Sequence, residues 1–305
     1  MAEVLEEPYF RMDFEQEVIS FNEAERTVQF RMIPDPRRYE EATIKGEEFY
    51  LDKYLGFLIP KDEIKKSAAS CVGLPVYALK RPSQSMVDYI SERQEAVLHE
   101  VETGTHIAPK HAVRPHIPLP ADTRNLAFIS VDICNSTNSR TENRDGYDLA
   151  LELFYKELGA VVAQFEGQIH KLTGDGFIAV IDHPSTNLQC DNAVDMALGI
   201  LAILNKSVLP ALKSKNLPII KTRTGLDYGL ALIKEFAIPA SGFSQRDISS
   251  DALNRAVKIQ EMAEPNQILL GRTLYERLHV QWLERCKQHN KFIAGLNNYR
   301  VYRLR

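Results

Sequence analysis

Cysteine is scarce: Cys71, Cys134, Cys190 and Cys286 are the only four in 305 residues, and no two stand at zinc-ligand or redox-motif spacing. That excludes a disulfide scaffold and a cysteine metal site, and leaves reduced thiols in packing roles. Positive charge is not in excess either. Lys and Arg number 37 against 41 Asp and Glu, for a net charge of -4, and the pI is near 6.1. With the cations scattered along the chain, nucleic acid is not an expected partner. Long apolar runs are also missing, because the most apolar stretch, 196–212, is broken by Asn205, Lys206 and Pro210. The acidic residues 1–7 lack the order of a secretory signal, so a cytoplasmic protein with no membrane partner is expected. No repeat or low-complexity segment occurs. What is present is a hydrophobic share of 44%, enough for a packed core and more than one domain.

Residues 104–125 mark the clearest boundary. Pro109, Pro115, Pro118 and Pro120 fix φ and remove amide donors, so 105–124 reads as an extended Pro-rich linker. Its His106, His111 and His116 cannot share a helical face and read as linker residues, not metal ligands. Over 1–104, alternation at 27–33 and 48–59 predicts strands, and Met86, Tyr89, Ile90, Val97 and Leu98 predict a helix over 84–100. This is a small mixed α/β domain without a functional motif.

Over 125–305 the pattern predicts a strand (126–131), a helix (146–165), a hairpin (168–172 and 177–181) and a helix (192–204). Strands follow at 219–225 and 229–233, then a helix (250–262), a strand (267–270), a helix near Leu274 and a last strand (299–304). The expected fold is α+β, with a ferredoxin-like βαββαβ core and helices on one face of a mostly antiparallel sheet.

Two apolar runs in this domain each end on an aspartate at a polar turn: Asp132 within 128–137, and Asp175 within 171–177. Paired carboxylates at the ends of neighbouring strands hold hard cations against a triphosphate, since Mg²⁺ and Mn²⁺ prefer oxygen ligands. Either Asp alone reads equally well as a helix cap or turn residue. Two in one domain favour a metal pair.

These residues resemble the class III nucleotidyl cyclases, the adenylate and guanylate cyclase family, from Leu126 to the C-terminus. The family's Phe-x-x-x-Asp-Ile-x-x-(Phe/Ser)-Thr pattern is matched by Phe128, Asp132, Ile133, Ser136 and Thr137, and its Lys-x-x-Gly-Asp hairpin by Lys171, Gly174 and Asp175. An Arg-x-Gly pattern falls on Arg223, Gly225, Leu226 and Gly229, and a fourth on Asp247, Ile248, Asn254 and Ala256. The resemblance implies two Mg²⁺ or Mn²⁺ ions held by Asp132, Asp175 and the Ile133 carbonyl, and phosphate contacts from the backbone of Cys134, Asn135, Ser136 and Thr137. It assigns Asn254 to the ribose, Lys258 to the transition state, and Lys171 and Asp247 to the base. A C₂ homodimer with shared sites follows, because the family draws the Lys171, Asp247, Asn254 and Lys258 half of each site from the second subunit.

Several positions depart from the family. Lys258 replaces an arginine and loses its bidentate fork, which implies slower turnover. Ser250 replaces a glycine, Asp227 stands where many relatives have His, and the C-terminal phosphate lysine is missing, with Lys291 or Arg300 as substitutes. A donating lysine and an accepting aspartate suit ATP and CTP alike, and UTP if the roles exchange. The soluble architecture with a companion domain is also similar to pyrimidine cyclases of bacterial phage defence, whose product acts on a downstream effector. The remaining alternative is a nucleotide-binding pseudo-cyclase. A diguanylate cyclase or polymerase palm is disfavoured, since Gly174 to Phe177 only faintly echoes its hairpin. His170 and His183 are expected in structural or surface roles.

Overall fold

The computed structural model describes residues 11–70, 85–110, 118–290, 295 and 298–305. Cys71, His111, His116 and Lys291, each weighed above, lie outside the described residues. The chain divides into two compact units, one of Met1–Lys80 with Leu278–Glu284, the other of Arg81–Arg277 with Arg285–Arg305.

The first unit contains an antiparallel hairpin, β1 (Phe14–Asn22) and β2 (Thr27–Pro34), and a three-stranded sheet. The latter orders β3 (Tyr39–Ile44), β4 (Glu47–Asp52) and β5 (Leu58–Pro60), followed by α1 (Lys61–Ser70). The single strand expected over 48–59 is thus two, parted by a turn at Gly56, whose φ of +74° suits a residue without Cβ. At the centre Arg38 is buried between Asp13 (2.9 Å) and Asp52 (2.8 Å). Asp13 also accepts the Val280 amide at the head of the short helix α10 (Val280–Leu283).

In the second unit α2 (Met86–Thr103) opens on a Ser85 cap and ends at Gly104. Expected in the N-terminal domain, it belongs instead to the second unit. Its buried Arg93 makes bonds of 2.7 and 2.6 Å to the fully buried Glu157. Glu100 bonds Lys156 at 2.7 Å and His106 at 2.6 Å. Glu100, His106 and Glu157 bring ligand atoms within 4.8 Å of one another, but arginine and lysine already meet their charge.

The expected βαββαβ order is present: β6 (Asp122–Ile133), helices α3 (Ser136–Glu142), α4 (Arg144–Leu153) and α5 (Gly159–Gln164), β7 (Gly167–Leu172), β8 (Gly176–Ile181), α6 (Thr186–Ile203) with α7 (Leu209–Ser214), and β9 (Thr222–Ile238). Then come β10 (Phe243–Ser249), α8 (Asp251–Met262), β11 (Gln267–Gly271), α9 (Arg272–Tyr275), β12 (Cys286–His289) and β13 (Val301–Leu304). The sheet runs β12-β13-β11-β9-β6-β8-β7 with β10 on β9, and only the β9–β11 pairing is parallel.

Three expectations need correction. The two strands placed at 219–225 and 229–233 are one strand, β9, and β10 and β12 were not expected at all. Helices cover both sheet faces, not one. Leu126, Phe128, Ile178 and Val180 pack on Ala252, Leu253 and Ala256 of α8, while Phe177, on the opposite face, packs on Phe154 with ring centroids 5.6 Å apart. Strands buried on both sides read as unbroken apolar runs, and all six residues of β8 are buried. Thirdly, the apolar helix runs to Ser214 through a π turn, Leu204–Val208, despite Pro210. Pro210 has no amide hydrogen for the Lys206 carbonyl, and Gln94 Nε2 of α2 supplies it at 2.8 Å. This helix, Thr186–Ser214, is long and apolar enough to cross a membrane, yet 61% of its most apolar window is buried in the protein.

On α6, burial raises the Asp195 carboxyl to about 7, with Asp191 adding repulsion and Arg285 opposing it. Because the folded value lies above that of the unfolded chain, the charged form opposes folding. The penalty is absent at pH 4, grows to pH 7, and is complete above it. Asp195→Asn should therefore stabilise the protein by about 2–4 kcal/mol at pH 8 and by almost nothing at pH 4, measured by urea unfolding.

Candidate active site

Register brings the two metal-candidate aspartates together. On β6, Asp132 lies opposite Gly176 of β8 and Arg223 of β9, and the Ile133 amide bonds the Asp175 carbonyl at 3.0 Å. The turn before β8 needs both of its glycines. Gly174 has a φ of +92°, and a Cβ on Gly176 would lie 2.3 Å from the Val131 carbonyl oxygen.

The two carboxylates are close enough to disturb each other. Burial pushes the Asp132 carboxyl above its ordinary range, Arg223 pulls it down, and the charge and hydrogen-bonding of Asp175 push it further up. Arg223 stands 2.5 Å from Asp132, whose same oxygen has Gln260 of α8 at 3.4 Å. Ser136 donates to Asp175. Two crowded carboxylates, one already drawing a cation, offer the hard oxygen donors that Mg²⁺ or Mn²⁺ requires. The residues therefore fit a divalent-metal pair.

Beside Asp175 opens a cavity of about 520 Å³, lined by Ser136, Thr137, Arg140, Arg144, Tyr147 and Gly174 among others. Helix α3 begins here with no side-chain cap on its first turn, and Asn135 holds a left-handed φ of +55°. Helical amides without partners suit phosphate oxygens. The expected amide of Cys134 is not among them, because it donates to the Lys221 carbonyl at 2.8 Å. Burial also pushes the Cys134 thiol up, so it stays a neutral packing group. Arg140 and Arg144, on the wall of this cavity, were not singled out in the sequence. Two arginines one turn apart, directly after a candidate phosphate turn, were a signal available in the sequence; both face Asp148, at 3.1 and 4.0 Å.

The two residues that the resemblance assigns to the base form a second cluster. Lys171 on β7 lies 3.4 Å from both oxygens of Asp247 on β10. His170, expected in a structural or surface role, bonds Asp247 at 2.7 Å. Neighbouring strand residues normally face opposite ways, but β7 shifts register between Ile169 and Lys171, and such a bulge re-aims a side chain. Burial raises the Asp247 carboxyl, but the Ile248 amide, His170 and Lys171 outweigh it and hold it below its usual range. It remains an acceptor.

Asn254 and Lys258 stand exposed on α8, and a Cβ on Gly295 would come 2.7 Å from Lys258 Nζ. Among the described residues, no hydrogen bond joins these two to either aspartate cluster. Ser250, where the family has glycine, caps α8 by accepting the Ala252 and Leu253 amides and donates to Leu230 at 2.7 Å. Asp227 is fully buried, bonded to Arg255 at 2.5 Å and to the Tyr299 hydroxyl at 2.8 Å. It ties β9 to α8 and the C-terminal segment, a structural role.

Residues 121–305 match the family described as Adenylate and Guanylate cyclase catalytic domain. Over 194 residues the chain is 26% identical to a cytidylate cyclase of Escherichia coli, covering 59% of this chain but 40% of that protein. Among solved structures, the adenylyl cyclase CyaB from P. aeruginosa is similar with a TM-score of 0.55 at 16% identity, over 61% of this chain and 96% of that one. The guanylate cyclase domain of RhGC from Catenaria anguillulae, solved with GTP, gives 0.51 at 17%, over 61% and 98%. At such identity the structural likeness establishes the fold alone.

Gly176→Ala should cost about 1–3 kcal/mol through overpacking against β6, read by chemical denaturation, because the methyl group meets backbone that has no rotamer to yield.

Proposed function

Since the chain belongs to the adenylate and guanylate cyclase catalytic-domain family, we propose that it is a nucleotidyl cyclase, converting a ribonucleoside triphosphate into a 3′,5′-cyclic mononucleotide and pyrophosphate. The observation that carries this reading is the pairing of Asp132 with Asp175 beside a cavity with arginines on its wall. In the reaction the ribose 3′-oxygen bonds to the α-phosphorus, the bond from that phosphorus to the β-phosphate's bridging oxygen breaks, and the hydroxyl proton is released.

Asp132, Asp175 and the Ile133 carbonyl would hold two Mg²⁺ or Mn²⁺ ions, which when bound acidify the 3′-hydroxyl and neutralise the triphosphate. Asn135, Ser136 and Thr137 offer amides to the phosphates, with Arg140 and Arg144 as neighbouring cations. Arg223 balances Asp132. Asn254 orients the ribose, and Lys258 contributes charge to the transition state without the fork of an arginine.

The catalytic groups lie in separate clusters within one chain, which supports a homodimer with two composite sites. An apolar arm supports the same reading: Leu230, Leu232, Phe236, Ile238 and Phe243 on β9 and β10 are all exposed, and exposed apolar patches mark association surfaces.

At the base, Lys171 donates and Asp247 accepts, which suits ATP and CTP, while UTP fits by exchanging partners. The cytidylate cyclase relative favours a pyrimidine. On that second reading the product is a cyclic pyrimidine nucleotide, made during phage infection and recognised by a separate effector.

Incubation with ATP, CTP, GTP and UTP plus Mn²⁺, with products identified by mass, should yield a cyclic nucleotide and pyrophosphate. Asp175→Ala should lower the rate about a thousandfold, the loss expected for about 4 kcal/mol of transition-state stabilisation. If no triphosphate is cyclised, the chain is a nucleotide-binding pseudo-cyclase. Mixing Asp132→Ala with Asn254→Ala chains should restore activity to one site of the heterodimer, whereas a mixture as inactive as its parents refutes the shared site.

A further inference from the structure

One side chain outside the family's motifs grips the backbone on both sides of Asp175. The Tyr155 hydroxyl donates to the Gly174 carbonyl at 2.9 Å and the Gly176 carbonyl at 3.1 Å. It reaches them from Phe154–Leu158, a π turn between α4 and α5. Such turns insert a residue, shift the register of the side chains that follow, and occur often at functional sites. Here Phe154 packs on Phe177, two residues past Asp175, with ring centroids 5.6 Å apart. Glu157, in the same turn, is directed instead into the buried ion pair with Arg93 of α2.

A carboxylate buried this completely demands its partner, so α2 fixes how the π turn sits. Helix α2 is itself fastened at the other π turn, where Gln94 donates to the Lys206 carbonyl at 2.8 Å. A continuous set of contacts thus runs from α2 through Arg93, Glu157 and the π turn to Tyr155 and the backbone carrying Asp175.

We propose that Tyr155 is a positioning residue for Asp175, held in place by α2 through the Arg93–Glu157 pair. The proposal rests on Asp132 and Asp175 being the metal pair. Gly174, at φ +92°, gives the turn a backbone freedom that other residues lack. A hydroxyl shared by the carbonyls before and after Asp175 removes that freedom and fixes the carboxylate opposite Asp132. Partners that orient a metal ligand change metal affinity by about 10–100-fold when removed.

The test is Mn²⁺ binding to the full chain without nucleotide, followed by electron paramagnetic resonance and paired with thermal unfolding. Tyr155→Phe should weaken Mn²⁺ about tenfold with the unfolding temperature unchanged. In turnover assays it should raise the Mn²⁺ concentration for half-activation more than it lowers kcat. Replacing Arg93 and Glu157 together by Met leaves no buried charge unpaired and should produce the same loss. Adding Tyr155→Phe to that variant should then cost nothing further, as coupled residues require. If the double replacement does not fold, the neutral polar pair Arg93→Gln with Glu157→Gln serves in its place.

Asp175→Ala separates the two ways of failing. Mn²⁺ binding that is indifferent to Asp175 overturns the metal pair and this proposal with it. Binding that needs Asp175 but is unchanged in Tyr155→Phe overturns the role of Tyr155 alone. Simple addition of the losses in the triple variant overturns the part given to α2.

Discussion

Two like-charged carboxylates held side by side are the constraint to which the rest of the catalytic unit answers. Asp132 and Asp175 lie 43 positions apart in sequence, and only the pairing of β6 with β8 brings them together. That pairing requires a residue without a side chain at Gly176, since Val131 backbone fills the space a Cβ would need. Repulsion between the two is relieved by Arg223 on Asp132 and by Ser136 on Asp175. In the folded chain the pair is therefore tolerable yet still short of positive charge, the condition in which a site takes up divalent ions.

The second cluster follows a different rule. Asp247 is surrounded by donors from His170, Lys171 and its neighbour's amide, which keeps it an acceptor. In the proposed role at the base, a group whose protonation is settled in advance would lose little on binding. The shift in β7 that lets two adjacent residues face Asp247 is a small departure from strand geometry with a direct chemical consequence.

Much of this was legible in the chain. Apolar runs ending on a polar turn gave Asp132 and Asp175, the helical stripe gave α2, and the motif spacing gave the family. What escaped reading depended on distant partners. One strand was ended at 225 and the next begun at 229, but β9 continues through the gap. Gly225 is there because α8 lies against it, a Cβ falling 2.3 Å from the Ala256 carbonyl oxygen. Asp227 is accommodated in the core by Arg255 and by Tyr299, 72 residues away. Similarly, the helix was ended at 204, short of Pro210, because nothing local shows that Gln94 will satisfy the carbonyl the proline leaves open. The spare amide at Cys134 was assigned to phosphate because its pairing with Lys221 is a feature of the sheet, not of the motif.

The Arg93–Glu157 pair has a practical corollary for anyone excising the catalytic half. The Pro-rich segment invites a cut near residue 105, but a fragment starting there keeps Glu157 in the interior after discarding its counter-charge, together with the amide that occupies the Lys206 carbonyl. Cloning boundaries guided by the linker would thus yield a destabilised fragment, and a start upstream of Ser85 retains both Arg93 and Gln94.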